Sequence, residues 1–273
     1  MNEIDKLFQK ATAYEMQGNL HQSIEILEKI LAKKEDSIIA NLKIADMYYI
    51  TGLMNKSIEH YQKIIEKKPN HSYALYRLGV AYYRATLFSK AIECFQKVIE
   101  LDPKLHMAYY WKGLAYYHTG KMQKSIDAFL KMNEQSEDGT VGFYQLAVTY
   151  KAMGDYKNAI KYLKEILKED PELVSVHYHL GLAYLGNSQI NEAIKCFKKV
   201  IELDPEHKSA KSNLKELTND QEMLYTFGIQ SAKEDDEKGI VSNFHIGQAY
   251  KGFAMIDKAM KFFKQQIKEN DDE

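Results

Sequence analysis

The chain holds only two arginines, Arg77 and Arg84, seven residues apart and therefore two turns along one helical face. Tyr76 and Tyr83 stand beside them, and Trp111, the one tryptophan, lies thirty-four residues after Arg77. A guanidinium forks two hydrogen bonds onto a carboxylate or phosphate, so the pair among aromatic faces reads as an anchor for a ligand anion. The plainer reading is surface arginine paired with nearby glutamate. Other chemistry is scarcer. His177 and His179 are two apart on a helix and point to different sides, so they do not chelate a metal together. Cys94 and Cys196 lie too far apart to bridge within the chain, and small buried thiols suit them better than a disulfide framework. No HExxH, CxxC or glycine-rich phosphate loop occurs. Carboxylates are scattered through runs such as EKIIEKK and KEILKED, where alternating charge marks a solvated face. The expectation is a protein that is not an enzyme, with no cofactor and no metal site.

What positions these residues is a pattern that returns every thirty-four residues. Gly79 is matched by Ala11, Ala45, Gly113, Ala147 and Gly181, and Tyr82 by Tyr14, Tyr48, Tyr116, Tyr150 and Tyr184. Ala91 is matched by Ser23, Ser57, Ser125, Ala159 and Ala193, and Phe95 by Leu27, Tyr61, Phe129, Leu163 and Phe197. All four prolines, Pro69, Pro103, Pro171 and Pro205, share one place in the period. The small residues let two helices approach, the large ones interdigitate, and proline stops the second helix. Gly18, Gly52, Gly120 and Gly154 mark the turn between the helices, where a left-handed residue is cheapest. Thr86 and Ser188 hold that place in two repeats, which predicts a less ideal turn there.

Residues 4–205 thus resemble the tetratricopeptide repeat family. The resemblance implies an all-α, right-handed superhelical solenoid of antiparallel helix pairs, whose first helices line an inner concave surface. It also implies a binding scaffold and gives no chemistry of its own. The lysine and asparagine clamp of relatives that grip chaperone tails is absent, its places holding Phe8, Tyr76 or Tyr110 and Thr12, Val80 or Leu114. The asparagine ladder of sugar-transferring relatives is replaced by Arg77, Trp111, Gln145 and His179.

The period divides the chain, read as one array over 1–273, into repeats 4–37, 38–71, 72–105, 106–139, 140–173 and 174–207. The first has a degraded signature, as suits a cap that faces water. The fourth ends in NEQSEDGT with no proline, the softest link in the array. An irregular repeat is expected over 208–239, then a last repeat and an acidic tail over 240–273, through Gly247, Tyr250, Ala259 and Phe263.

Across the repeats one first-helix place forms a ladder of Phe8, Leu42, Tyr76, Tyr110, Tyr144 and Tyr178, with Phe244 in the last repeat. Tyr49, Tyr83 and Tyr117 form a second. One reading is rings packed between neighbouring first helices. However, Tyr82 and Tyr116 already serve the core, and consecutive residues point about 100° apart. A partner groove is therefore expected at Tyr76, Arg77, Tyr83, Arg84, Tyr110, Trp111, Tyr117, Tyr144 and Tyr178, suited to an extended or helical peptide with apolar side chains. The expected function is a protein–protein interaction scaffold or adaptor. The alternatives are a homodimer formed through Phe262, Phe263 and the 208–239 segment, or a regulatory subunit of a separate effector.

Composition narrows the partners. Net charge is −1 and basic character comes from lysine, so no field or arginine forks draw nucleic acid. No apolar run is long enough to span a membrane, and the first repeat starts almost at once, leaving no room for a signal peptide. The expected location is the cytoplasm.

Overall fold

A computed structural model describes residues 2–136 and 139–218, divided between two units, Met1–Gly142 and Phe143–Glu273. The first holds α1 (Glu3–Met16), α2 (Leu20–Lys33), α3 (Ile38–Ile50), α4 (Met54–Lys67), α5 (Ser72–Arg84), α6 (Phe88–Leu101), α7 (His106–His118) and α8 (Met122–Gln135). Helix α9 (Thr140–Ala152) begins in the first unit and continues in the second. The second then holds α10 (Tyr156–Glu169), α11 (Val174–Gly186) and α12 (Ile190–Leu203), followed by helical residues 208–218. The described residues contain helices and no strand. The irregular stretch expected over 208–239 is described only to 218, and the expected last repeat over 240–273 lies outside the described residues.

Each first helix ends the same way. The backbone N–H of Asn19, Leu53, Leu87, Lys121, Asp155 and Gln189 donates back to the carbonyl of Tyr14, Tyr48, Tyr82, Tyr116, Tyr150 and Tyr184, at 2.8–2.9 Å throughout. This six-to-one bond closes the helix and requires a left-handed residue inside the loop. Gly18, Gly52, Gly120 and Gly154 supply it at φ of 74°, 81°, 72° and 78°. Thr86 and Ser188 take the less ideal turn expected of them: at φ of 59° and 58° they hold the left-handed conformation without glycine's freedom. The bond to the tyrosine carbonyl fixes the turn, so these side chains bear the backbone strain. Second helices stop at Asp-Pro in three repeats, where Asp102, Asp170 and Asp204 accept from the N–H two residues on at 3.0–3.1 Å.

Helices pack in sequence order, α1 on α2, α2 on α3 and so on through α8, and again from α10 to α12. The core contact inside a pair sets a small residue against a large one. A methyl on Gly79, Gly113 or Gly181 would lie 2.8, 2.6 or 2.7 Å from the ring of Phe95, Phe129 or Phe197. All three rings are fully buried. Where the first helix carries alanine (Ala11, Ala147) the partner shortens to Leu27 and Leu163. Tyr61, opposite Ala45, sends its hydroxyl out to Asp46. The serines beside this contact donate to the first helix, Ser23 to the Ala11 carbonyl (2.8 Å) and Ser125 to that of Gly113 (2.9 Å). The equivalent Ser57 hydroxyl is buried without a partner.

Candidate functional site

The candidate site is the set of first-helix side chains left over once the core is filled. Tyr76, Tyr110 and Tyr178 each stand one turn from a core contact. Their rings meet Phe95, Phe129 and Phe197 at centroid distances of 6.1, 6.4 and 5.8 Å. Every member of the expected set except Arg84 is half-buried, and Arg84 is exposed. Burial pushes the phenols of Tyr83, Tyr110 and Tyr144 upward, so they stay protonated donors. Tyr73, three residues before Tyr76 on α5, is 51% exposed, whereas Val80, four residues after it, is buried.

Neighbouring first helices meet along two diagonals. A residue touches the position thirty-five further on: Trp111 Nε1 donates to Tyr76 Oη (2.9 Å), and Arg84 lies over the Tyr49 ring (4.6 Å). The same step brings Tyr83 to His118 (5.7 Å), Tyr144 to His179 (5.5 Å), and Asn213 Nδ2 to Tyr178 Oη (3.5 Å). The second diagonal steps twenty-eight residues, taking Tyr49 to Arg77 (4.8 Å) and Tyr83 to Trp111 (5.2 Å). Lys151 and His179 complete it, with Nζ 3.4 Å from Nδ1. In the first unit, then, Tyr49 contacts both Arg77 and Arg84, and Tyr83 contacts both Trp111 and His118.

The two arginines have different duties. Arg77 places its Nη2 2.6 Å and its Nε 2.8 Å from Asp46 Oδ1, with Nε also 3.1 Å from Tyr61 Oη. Tyr61 donates to the same carboxylate, and burial together with Asp46 holds its phenol well above the ordinary range. Burial works against the Arg77 charge, but Tyr61 and Asp46 outweigh it and raise its pKa. The fork of Arg77 is thus occupied within the protein, by an aspartate on α3. Arg84 has the Tyr49 ring and no carboxylate among the described residues.

Three features escaped the sequence reading: Asp46 as the partner of Arg77, the stack of Phe88 on His118 (5.2 Å), and the Lys151–His179 contact. The first and third join neighbouring first helices at steps of thirty-one and twenty-eight, and Phe88 reaches His118 from α6; columns of period thirty-four display none of them. Cys94 and Cys196 are buried free thiols, pushed by burial up to about 12 and about 11, far from a reactive thiolate. Among the described residues no cluster of three or more histidine, cysteine or acidic side chains is placed to hold a metal ion, and no helix is long and apolar enough to cross a membrane.

Helix pairs with a periodic core and a repeated outward row define an all-α repeat protein, a class that serves as protein-interaction scaffolds. Tetratricopeptide repeat models match residues 7–37, 76–139, 142–173, 174–207 and 240–273, together more than half of the chain. The chain belongs to the tetratricopeptide repeat family. No curated protein matches it. Among solved structures, a MamA protein is 31% identical, matching 62% of this chain and 97% of its own, with a TM-score of 0.56. The C-terminal part of a repeat-containing protein from Cytophaga hutchinsonii matches 93% of this chain and 98% of its own at 19% identity, TM-score 0.68. YrrB, described as a TPR protein with an unusual peptide-binding site, matches 69% and 97% at 17% identity, TM-score 0.58. At these last two identities the likeness is one of fold.

Proposed function

We propose that the first-helix faces of this protein bind a segment of another protein through their tyrosine rows. In the first unit the surface comprises Tyr76, Tyr83, Arg84, Tyr110, Trp111 and Tyr117, with Arg77 holding Tyr49 in place from behind its ion pair. In the second unit it comprises Tyr144 and Tyr178. The observation that carries the reading is the half-burial of these rings. Tyr76, Tyr110 and Tyr178 rest one side on core phenylalanines and remain half-buried, so each ring keeps part of its apolar surface exposed. Tyrosine offers a large apolar face and a hydroxyl with little rotamer entropy to lose, which suits it to contact surfaces. Within either unit, a segment laid across neighbouring first helices meets one ring per repeat.

Random displayed peptides selected on the full chain test this. Trp111, bonded to Tyr76, gives a fluorescence signal on the face itself. Selected peptides are expected to change that emission and to bind a Tyr76→Ala/Tyr110→Ala/Arg84→Ala variant at least about tenfold more weakly, about 1.4 kcal/mol or more. Equal binding to wild type and to this variant, with helicity intact by circular dichroism, would reduce the rings to packing.

A further inference from the structure

We infer that the segment received by the first-helix faces is acidic, and that in the second unit one of its carboxylates docks on Lys151 and His179. The inference rests on the reading above and names the chemistry of its partner.

The first observation is a charge bias. Helices α5, α7, α9 and α11 contain no aspartate or glutamate, and their charged side chains are Arg77, Arg84, Lys112 and Lys151, all cations. The whole chain carries a net charge of −1, so the cationic character belongs to these helices and not to the composition. Arg77 is neutralised by Asp46 on α3. Arg84, Lys112 and Lys151 have no ion-paired carboxylate among the described residues; Lys112 donates to the Gln96 amide oxygen, whereas Arg84 lies over a ring and Lys151 meets only an imidazole.

The second observation is where Lys151 sits. On the twenty-eight-residue diagonal it takes the place that Tyr49 and Tyr83 fill with rings in the first unit. Its half-buried ammonium donates to His179 Nδ1 at 3.4 Å, which requires a neutral imidazole with its lone pair on that nitrogen. Tyr144 and Tyr178 stand edge-on to the same imidazole at 5.5 and 5.8 Å. A partly desolvated ammonium that meets only a neutral acceptor lacks the opposite charge that would offset its lost hydration. A glutamate or aspartate side chain on a docked segment supplies that charge and accepts a charge-assisted hydrogen bond. Arg84 over the Tyr49 ring offers the first unit a comparable cation on a tyrosine-bearing face.

The test uses the peptides selected on the full chain, each resynthesised with every acidic residue replaced by its amide. Binding to wild type, Lys151→Gln, Arg84→Gln and Tyr144→Ala/Tyr178→Ala is followed by fluorescence polarisation. Acidic peptides are expected to dominate the selection, and a subset to lose about tenfold in affinity for Lys151→Gln while their amide versions bind both proteins alike. Affinity of that subset should fall as salt rises. Binders without acidic residues, or a Lys151→Gln effect equal for acidic and amide peptides, would overturn the inference and leave the tyrosine reading standing. Acidic binders that respond to Arg84→Gln alone would overturn the assignment to Lys151 and His179. If no binder responds to any tyrosine variant, both fall together.

Discussion

Thr86 and Ser188 hold a left-handed backbone that four other turns give to glycine. A methyl added at those four glycines would meet nothing within 4 Å, so the turn is open and the strain is that of the backbone alone. Left-handed conformation costs an L-residue about 1–2 kcal/mol, more for a β-branched one, and glycine's extra freedom in the unfolded chain returns part of that. Thr86→Gly is therefore expected to stabilise the protein by about 1 kcal/mol in denaturant titrations, with Ser188→Gly gaining less. Asn133 makes the opposite kind of misfit. Its amide nitrogen and oxygen are both buried without a partner, at the place where other repeats carry Leu31, Ile65, Ile99, Leu167 and Ile201. Leucine has nearly the same shape, so Asn133→Leu replaces two unsatisfied polar atoms by methyls and should raise stability by about 1–3 kcal/mol. A lower midpoint in either variant would mean that the residue serves a purpose these contacts omit.

At the scale of the helix pair, the contact between a small and a large residue is one unit rather than two. Gly79→Ala would set a methyl 2.8 Å from the fully buried Phe95 ring, an overpacking expected to cost about 1–3 kcal/mol. Phe95→Leu alone leaves a cavity. Made together they reproduce the pairing of Ala11 with Leu27 and Ala147 with Leu163, so the double variant should cost at least about 1 kcal/mol less than the sum. Strict additivity in a double-mutant cycle would contradict the pairing. The helix pairs and their turns were legible in the sequence because each is fixed within one repeat by residues that recur in register: the glycine, the proline, the tyrosine whose carbonyl closes the turn. The steps of twenty-eight and thirty-five were not. They depend on how far one first helix is shifted against the next, which packing sets and no single repeat encodes. For that reason Arg77 read as available although Asp46, thirty-one residues back, holds it. The contact of Lys151 with His179, twenty-eight residues on, escapes the thirty-four-residue columns for the same reason.

The chain as a whole presents a division of labour between its helices. Second helices such as α6, α10 and α12 carry mixed charge outward, with ion pairs such as Lys168–Glu165 and Lys199–Glu202. Exposed pairs of this kind contribute little to stability and keep a surface hydrated. The first helices α5, α7, α9 and α11 are aromatic and free of carboxylates. If function resides on the first-helix faces, substitutions there should abolish partner binding without unfolding the protein, and substitutions on second helices should do neither. The direct measurement is affinity capture from the source cell with three proteins side by side: wild type, Tyr76→Ala/Tyr110→Ala/Arg84→Ala, and a second-helix control, Lys90→Ala/Glu93→Ala/Lys97→Ala. The account requires a partner retained by wild type and by the control and lost by the first triple variant, with all three equally helical. The same partner held by the first variant and lost by the control would place the binding surface on the second helices and contradict it.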